Sequence, residues 1–143
     1  MPMKNTENYA MGMKMTDAEI PADGAYTILV VDDNDTARWL LGEILQTEGY
    51  VVLEANCADE AMRILYTRRG IRAVVTDIEM PGSMDGLEMS RLIVAEMPEI
   101  AVLLTSGRYW PATEALPQTT RFMRKPYSPR EVFGNLEILL QGS

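Results

Sequence analysis

Three aspartates, two adjacent hydroxyls and a lysine each stand directly after a short run of strand-forming residues. Asp32 and Asp33 follow Ile28 to Val31, and Asp77 follows Ala73 to Thr76. Thr105 and Ser106 follow Ala101 to Leu104, and Lys125, with Pro126 behind it, follows Arg121 to Arg124. Taken singly, each has an ordinary explanation as a helix cap, a turn or a loop. Taken together they point to one place, because open parallel α/β sheets bind ligands beyond the carboxyl ends of their strands. Carboxylates crowded there push one another's pKa upward unless a positive charge intervenes. A hard divalent cation meets that need, and an all-oxygen site with room for waters and a phosphoryl oxygen suits Mg²⁺. With no histidine and only Cys57 for sulfur, zinc and copper fit poorly. A nucleophile, a metal and charge-holding donors are the parts of phosphoryl transfer to a carboxylate. Asp77, alone at the end of the central strand, is the candidate nucleophile. Asp32 and Asp33 are placed to hold the cation, and Lys125 adds a second positive group.

The elements that must position these residues are readable from periodicity. Short apolar runs alternate with helical stretches from Tyr26 onward, the pattern of a parallel sheet with helices on both faces. Ala37, Leu40, Leu41, Ile44 and Leu45 are spaced for one face of a helix that Gly49 can cap. Val51 to Leu53 predicts a second strand, and Ala58, Ala61, Met62 and Leu65 predict the buried stripe of a second helix, with Arg63, Arg68 and Arg69 left to water. After Pro81, Gly82 and Gly86, a third helix carries Met89, Leu92 and Ile93 inward until Pro98. Ser128, Pro129 and Glu131 supply an N-cap, a first-turn proline and a capping-box partner for a last helix that buries Val132, Leu136, Leu139 and Leu140. Between the fourth and fifth strands, Pro111 and Pro117 leave room for about one or two helical turns. The expected fold is therefore α/β, with a doubly wound five-stranded parallel sheet and a short or irregular fourth helix.

At 143 residues, with 47% hydrophobic and 24% charged residues, the chain suits one globular domain. A net charge of -8 disfavours binding to nucleic acid, whose affinity rests on Lys and Arg displacing counterions. No apolar run approaches the roughly 18 to 20 residues of a membrane span, so no membrane role is expected. A single cysteine excludes an internal disulfide, and the N-terminus lacks a signal-peptide pattern, so a cytoplasmic location is expected. Without histidine, neither Ser-His-Asp catalysis nor histidine phosphotransfer can occur within the chain. Residues 1–25, rich in scattered Met and lacking periodicity, are expected to form a flexible tail, and residues 26–143 the domain.

Four segments, ILVVDDN at 28–34, AVVTDIEMPGSMDG at 73–86, AVLLTSGR at 101–108 and RFMRKPYSPREVF at 121–133, resemble the receiver domain of two-component response regulators. The likeness runs over about residues 26–140, and the four segments in order make it specific. It implies the flavodoxin-like strand order 2-1-3-4-5 and an aspartyl phosphate at Asp77. It also implies Mg²⁺ held by Asp33, Asp77 and the backbone carbonyl of Glu79, with Asp32 assisting through water. Lys125 would pair with phosphoryl oxygens, and the Lys125–Pro126 bond would be cis. One hydroxyl would serve as the switch. Side chains alternate along a strand, and the register favours Ser106, with Thr105 as the alternative. Phe122 matches the family's switch aromatic.

Two departures stand out. The loop after Asp77 is about one residue longer than the commonest family form, and the segment after the fourth strand is short and bears prolines. The resemblance implies a phosphoaccepting signalling switch with no enzymatic activity beyond self-directed phosphotransfer and autodephosphorylation. Its partners would be a histidine kinase or histidine phosphotransfer protein and a downstream protein target, with a homodimer left open. Output is expected through protein contacts or onward phosphotransfer, since no DNA-binding domain follows Leu140 in this sequence. Two other readings are a phosphorylation-independent docking module of the same fold and an aspartate-dependent phosphohydrolase built on Asp77-Ile78-Glu79. The second leaves the Asp32-Asp33 pair unexplained.

Overall fold

Alternating Val, Ile, Leu and Ala in the short runs form strands because both faces of the sheet they build are covered by helices. The structure, a computed structural model, describes residues 25–109, 111 and 116–141. Its elements are β1 (Thr27–Val31), α1 (Asp35–Thr47), β2 (Val51–Ala55), α2 (Ala58–Thr67), β3 (Ile71–Asp77), α3 (Gly86–Glu96), β4 (Ala101–Ser106), β5 (Thr120–Arg124) and α4 (Pro129–Gln141). All strand pairings are parallel, in the order β2-β1-β3-β4-β5. The expected topology is therefore the one observed, and the strands run longer than the apolar runs alone indicate.

Strand alternation sorts the core into two layers. Leu29, Val31, Val74, Val102 and Leu104 pack with α2 and α3, through Ala61, Leu65, Met89 and Ile93. Ile28, Val30, Val75, Leu103 and Met123 pack with α1 and α4, through Leu41, Leu45, Val132 and Leu136. β1 and β4, buried along their whole length, and β3, buried at every position but Arg72, form the middle of the sheet, from whose carboxyl ends Asp32, Asp77 and Ser106 project.

One helix face differs from the expectation. Leu40 is 52% exposed, whereas Gly42 is buried, so the inward arc of α1 is rotated away from Leu40. The inward arc runs through Leu41, Gly42 and Leu45, and Gly42 faces the edge strand β2, where a Cβ would meet Val52 at 3.4 Å and Glu54 at 3.8 Å, ordinary contact distances. Gly49, at φ +90°, ends α1 in the left-handed conformation that a side chain disfavours.

At α4 the capping box is complete. Glu131 N–H donates to Ser128 Oγ at 3.2 Å, and Ser128 N–H donates to Glu131 Oε1 at 2.8 Å. Ser128→Ala is expected to lower stability by about 1 kcal/mol, measured by urea denaturation. No loss would mean that Glu131 alone satisfies the helix start.

The segment between β4 and β5 carries no helix at its described positions, 107–109, 111 and 116–119, and positions 110 and 112–115 lie outside the described residues. The short or irregular helix expected there falls on this segment. Apart from Ala25, the tail expected over residues 1–25 also lies outside them. Among the described residues no helix is long and apolar enough to cross a membrane.

Candidate functional site

β1 and β3 are neighbours in the sheet, so their carboxyl ends carry Asp32, Asp33 and Asp77 to one spot. One carboxylate oxygen from each lies within 4.8 Å of the others. Asp32 and Asp77 are buried, at 9% and 7% exposure, and Asp33 faces solvent. Lys125, at the end of β5, reaches across β4. Its Nζ donates to Asp77 Oδ2 at 3.2 Å and lies 3.9 Å from Asp32 Oδ2. The Lys125–Pro126 peptide is cis, and Lys125 N–H donates to the Ser106 carbonyl at 2.9 Å, which ties the β5 end to β4.

Electrostatics at Asp77 follow from this crowding. Burial pushes its carboxyl above the ordinary carboxylate range, Lys125 opposes that rise, and Asp32 and Glu79 reinforce it. The Tyr127 hydroxyl, behind the cis bond, is pushed up to about 12 by burial and by Asp32 and Asp77. At Asp77 burial outweighs the opposing pull of Lys125, so the ionised carboxylate is less favoured there than in water.

The adjacent hydroxyls separate onto opposite sides of the sheet. Leu103 belongs to the layer of α1 and α4 and Leu104 to that of α2 and α3, so Thr105 follows the first and Ser106 the second. Ser106 is fully buried. Its Oγ donates to Glu79 Oε2 and accepts from Arg108 N–H at 3.0 Å and Tyr109 N–H at 2.8 Å. Thr105 pairs with Asp77 in the ladder, and its carbonyl accepts from Ile78 N–H at 2.8 Å. Phe122 is half-buried against the layer of α2 and α3, on the same side as Ser106.

The loop after Asp77 is held at both ends. Glu79 N–H donates to Asp77 Oδ1 at 3.3 Å, and Gly86 N–H donates to the Ile78 carbonyl at 2.9 Å. Asp85 and Glu88 form a reciprocal capping box that starts α3, at 2.8 and 2.9 Å. Within the loop after Asp77, Ser83 Oγ donates to Asp59 on α2 at 3.3 Å.

Arg38 was not apparent from the sequence. Its guanidinium donates to the Asp32 carbonyl at 2.7 Å, to Asp35 at 2.7 Å and to Glu54 at 2.9 Å, and its side chain is only 15% exposed. It fastens the loop that carries the aspartate pair to the edge strand. The signal that would have found it is helical phase: with the inward arc of α1 centred toward Gly42, Arg38 lies inside it. The bond from Ser106 to the Glu79 side chain is likewise not legible in the sequence, where Glu79 is read for its backbone carbonyl and, in the phosphohydrolase alternative, as part of Asp77-Ile78-Glu79.

A parallel sheet in this order, with a carboxylate cluster and a lysine at its carboxyl edge, defines the receiver class of signalling domain. A profile of the family described as the response regulator receiver domain matches residues 28–136. The chain belongs to the response regulator receiver domain family. It is 32% identical over 119 residues to a chemotaxis protein CheY homolog of Campylobacter jejuni, covering 79% of this chain and 91% of that one. It is 38% identical over 114 residues to the CAI-1 autoinducer sensor kinase/phosphatase CqsS of Vibrio cholerae, covering 76% of this chain. Only 16% of CqsS is matched, and the match covers 48% of the transcriptional regulatory protein ResD of Bacillus subtilis, so the chain spans at most about half of such relatives. Among solved structures, the response regulator TrrA of Thermotoga maritima, in complex with Mg(2+)-BeF, is 31% identical with a TM-score of 0.71. That match covers 80% of this chain and 99% of TrrA.

Proposed function

We propose that this chain is a phosphoaccepting switch, taking a phosphoryl group onto Asp77 from a histidine of a kinase or phosphotransfer protein. The observation that carries the reading is the gathering of Asp32, Asp33 and Asp77 within 4.8 Å, with Lys125 on Asp77 at 3.2 Å. The donor set is all oxygen and is undercompensated by Lys125, which fits Mg²⁺. Asp33 and Asp77 would hold the ion with the Glu79 carbonyl, and Asp32 through water. Bound there, Mg²⁺ supplies charge neutralisation for the carboxylates and the phosphoryl oxygens.

A carboxylate oxygen of Asp77 attacks phosphorus. The new O–P bond forms as the bond from phosphorus to the donor's imidazole nitrogen breaks, and the electron pair leaves on that nitrogen. Lys125, held by the β5 turn, takes charge from the phosphoryl oxygens. Ser106 serves as the switch hydroxyl, because it lies on the side of the sheet that faces Glu79 and Phe122 rather than on Thr105's side. Its movement toward the phosphoryl group lets Phe122 turn inward. The result is a population shift read by a partner protein.

Incubation with acetyl phosphate and Mg²⁺ is expected to add one phosphoryl group, seen by intact-protein mass spectrometry and lost when EDTA replaces the metal. A chain that stays unmodified under those conditions would count against the reading.

A further inference from the structure

The hydroxyl that the switch requires is already engaged. A serine hydroxyl has one proton to give and two lone pairs to receive with. Ser106 Oγ gives its proton to Glu79 Oε2 and receives from Arg108 N–H at 3.0 Å and Tyr109 N–H at 2.8 Å. With Ser106 at 0% exposure, no water competes for it, and its capacity is used up.

From this geometry we infer that the Glu79 side chain is a positioning residue that latches Ser106 in the resting state and competes with the phosphoryl group for its proton. The inference rests on the proposed role of Asp77 and Ser106 and deepens it. A carboxylate is a stronger acceptor than a neutral oxygen, so the resting bond is charge-assisted and must be given up before Ser106 can donate to a phosphoryl oxygen. The loop places the latch securely: Glu79 N–H is bonded to Asp77 Oδ1 at 3.3 Å, and Ile78 N–H to the Thr105 carbonyl at 2.8 Å, so the β3 end and the β4 end hold Glu79 beside Ser106. Two consequences follow. Glu79 opposes activation by keeping the hydroxyl occupied, and Arg108 and Tyr109 are tied to the same oxygen, so releasing the latch also loosens the start of the segment after β4.

A second effect of Glu79 runs in parallel, because its charge also repels an incoming anion and disfavours ionised Asp77. The two effects separate in a double-mutant cycle, since only the latch acts through Ser106. The test measures beryllofluoride affinity at saturating Mg²⁺ by isothermal titration calorimetry in wild type, Glu79→Ala, Ser106→Ala and the double variant, with Glu79→Gln as a neutral acceptor of the same shape. Glu79→Ala is expected to tighten binding roughly tenfold when Ser106 is present and less than about twofold when it is absent, with Glu79→Gln in between. The same gain in both backgrounds would assign the effect to charge repulsion and overturn the latch, as would no gain in either. A wild-type protein that neither binds beryllofluoride nor accepts a phosphoryl group from acetyl phosphate would instead overturn the receiver role and the latch with it.

Discussion

Asp77→Asn is expected to abolish the phosphoryl adduct and, in EDTA at pH 7, to raise the melting temperature. The first effect is all or none, because an amide oxygen cannot act as the nucleophile and no other carboxylate at the site stands at the end of β3 beside Lys125. The second follows from burial. The folded protein holds the Asp77 carboxyl above its ordinary range, so the ionised form favours the unfolded chain. The stability tied to this group is full below the unfolded pKa, about 3.9, and is lost as pH rises through the higher folded value. As the pH rises toward 7 the wild type loses it, and the asparagine variant has nothing to lose. A gain on the order of 3 °C is expected by differential scanning calorimetry, narrowing as the pH approaches about 4. A lower melting temperature for Asp77→Asn would mean that the Lys125 pair outweighs burial. Persistence of the adduct would move the acceptor to another residue.

Gly86→Ala is expected to cost about 3 to 5 kcal/mol in urea denaturation, or to prevent folding altogether. A Cβ at this position would lie 2.0 Å from the Asp77 carbonyl oxygen and 2.9 Å from Ile78 Cα, and backbone cannot swing aside as a side chain does. Relief requires α3 to withdraw from the end of β3, which breaks the bond from Gly86 N–H to the Ile78 carbonyl and displaces Asp77 itself. Surviving folded protein should therefore accept phosphate poorly even at saturating Mg²⁺. Gly134→Ala is the control. It sits in α4 with nothing within 4 Å of the added carbon, and there the same change should stabilise by roughly 0.5 to 1 kcal/mol. Equal effects at the two glycines would place the cause in helix propensity rather than in the close approach of α3 to β3.

The sites and the fold were readable to different depths for physical reasons. Asp32, Asp77, Ser106 and Lys125 could be named as neighbours because parallel strands with helical crossovers all end on one edge, so position after an apolar run is enough to locate a residue in space. The stripe of α2, with Ala58, Ala61, Met62 and Leu65, was readable because all four are buried in one layer. Apolar spacing places Leu40 inward but does not give the absolute rotation of a helix, and at α1 the buried arc runs through Leu41, Gly42 and Leu45 instead. Arg38 was hidden by the same rotation. The reach of Glu79 to Ser106 was out of view for another reason: a long flexible side chain chooses its rotamer from tertiary partners, and nothing local indicates where its carboxylate will rest.

The site draws its parts from β1, β3, β4 and β5, and each parallel neighbour is joined only through a crossover, so none of these strands can pair by a simple hairpin. No fragment of the chain shorter than nearly the whole domain can bring Asp32, Asp77 and Lys125 within reach of one another. The carboxylate and lysine cluster is consequently a property of the finished fold. On the proposed reading, a partly folded chain, in which these strand ends are not yet gathered, would be unable to take a phosphoryl group.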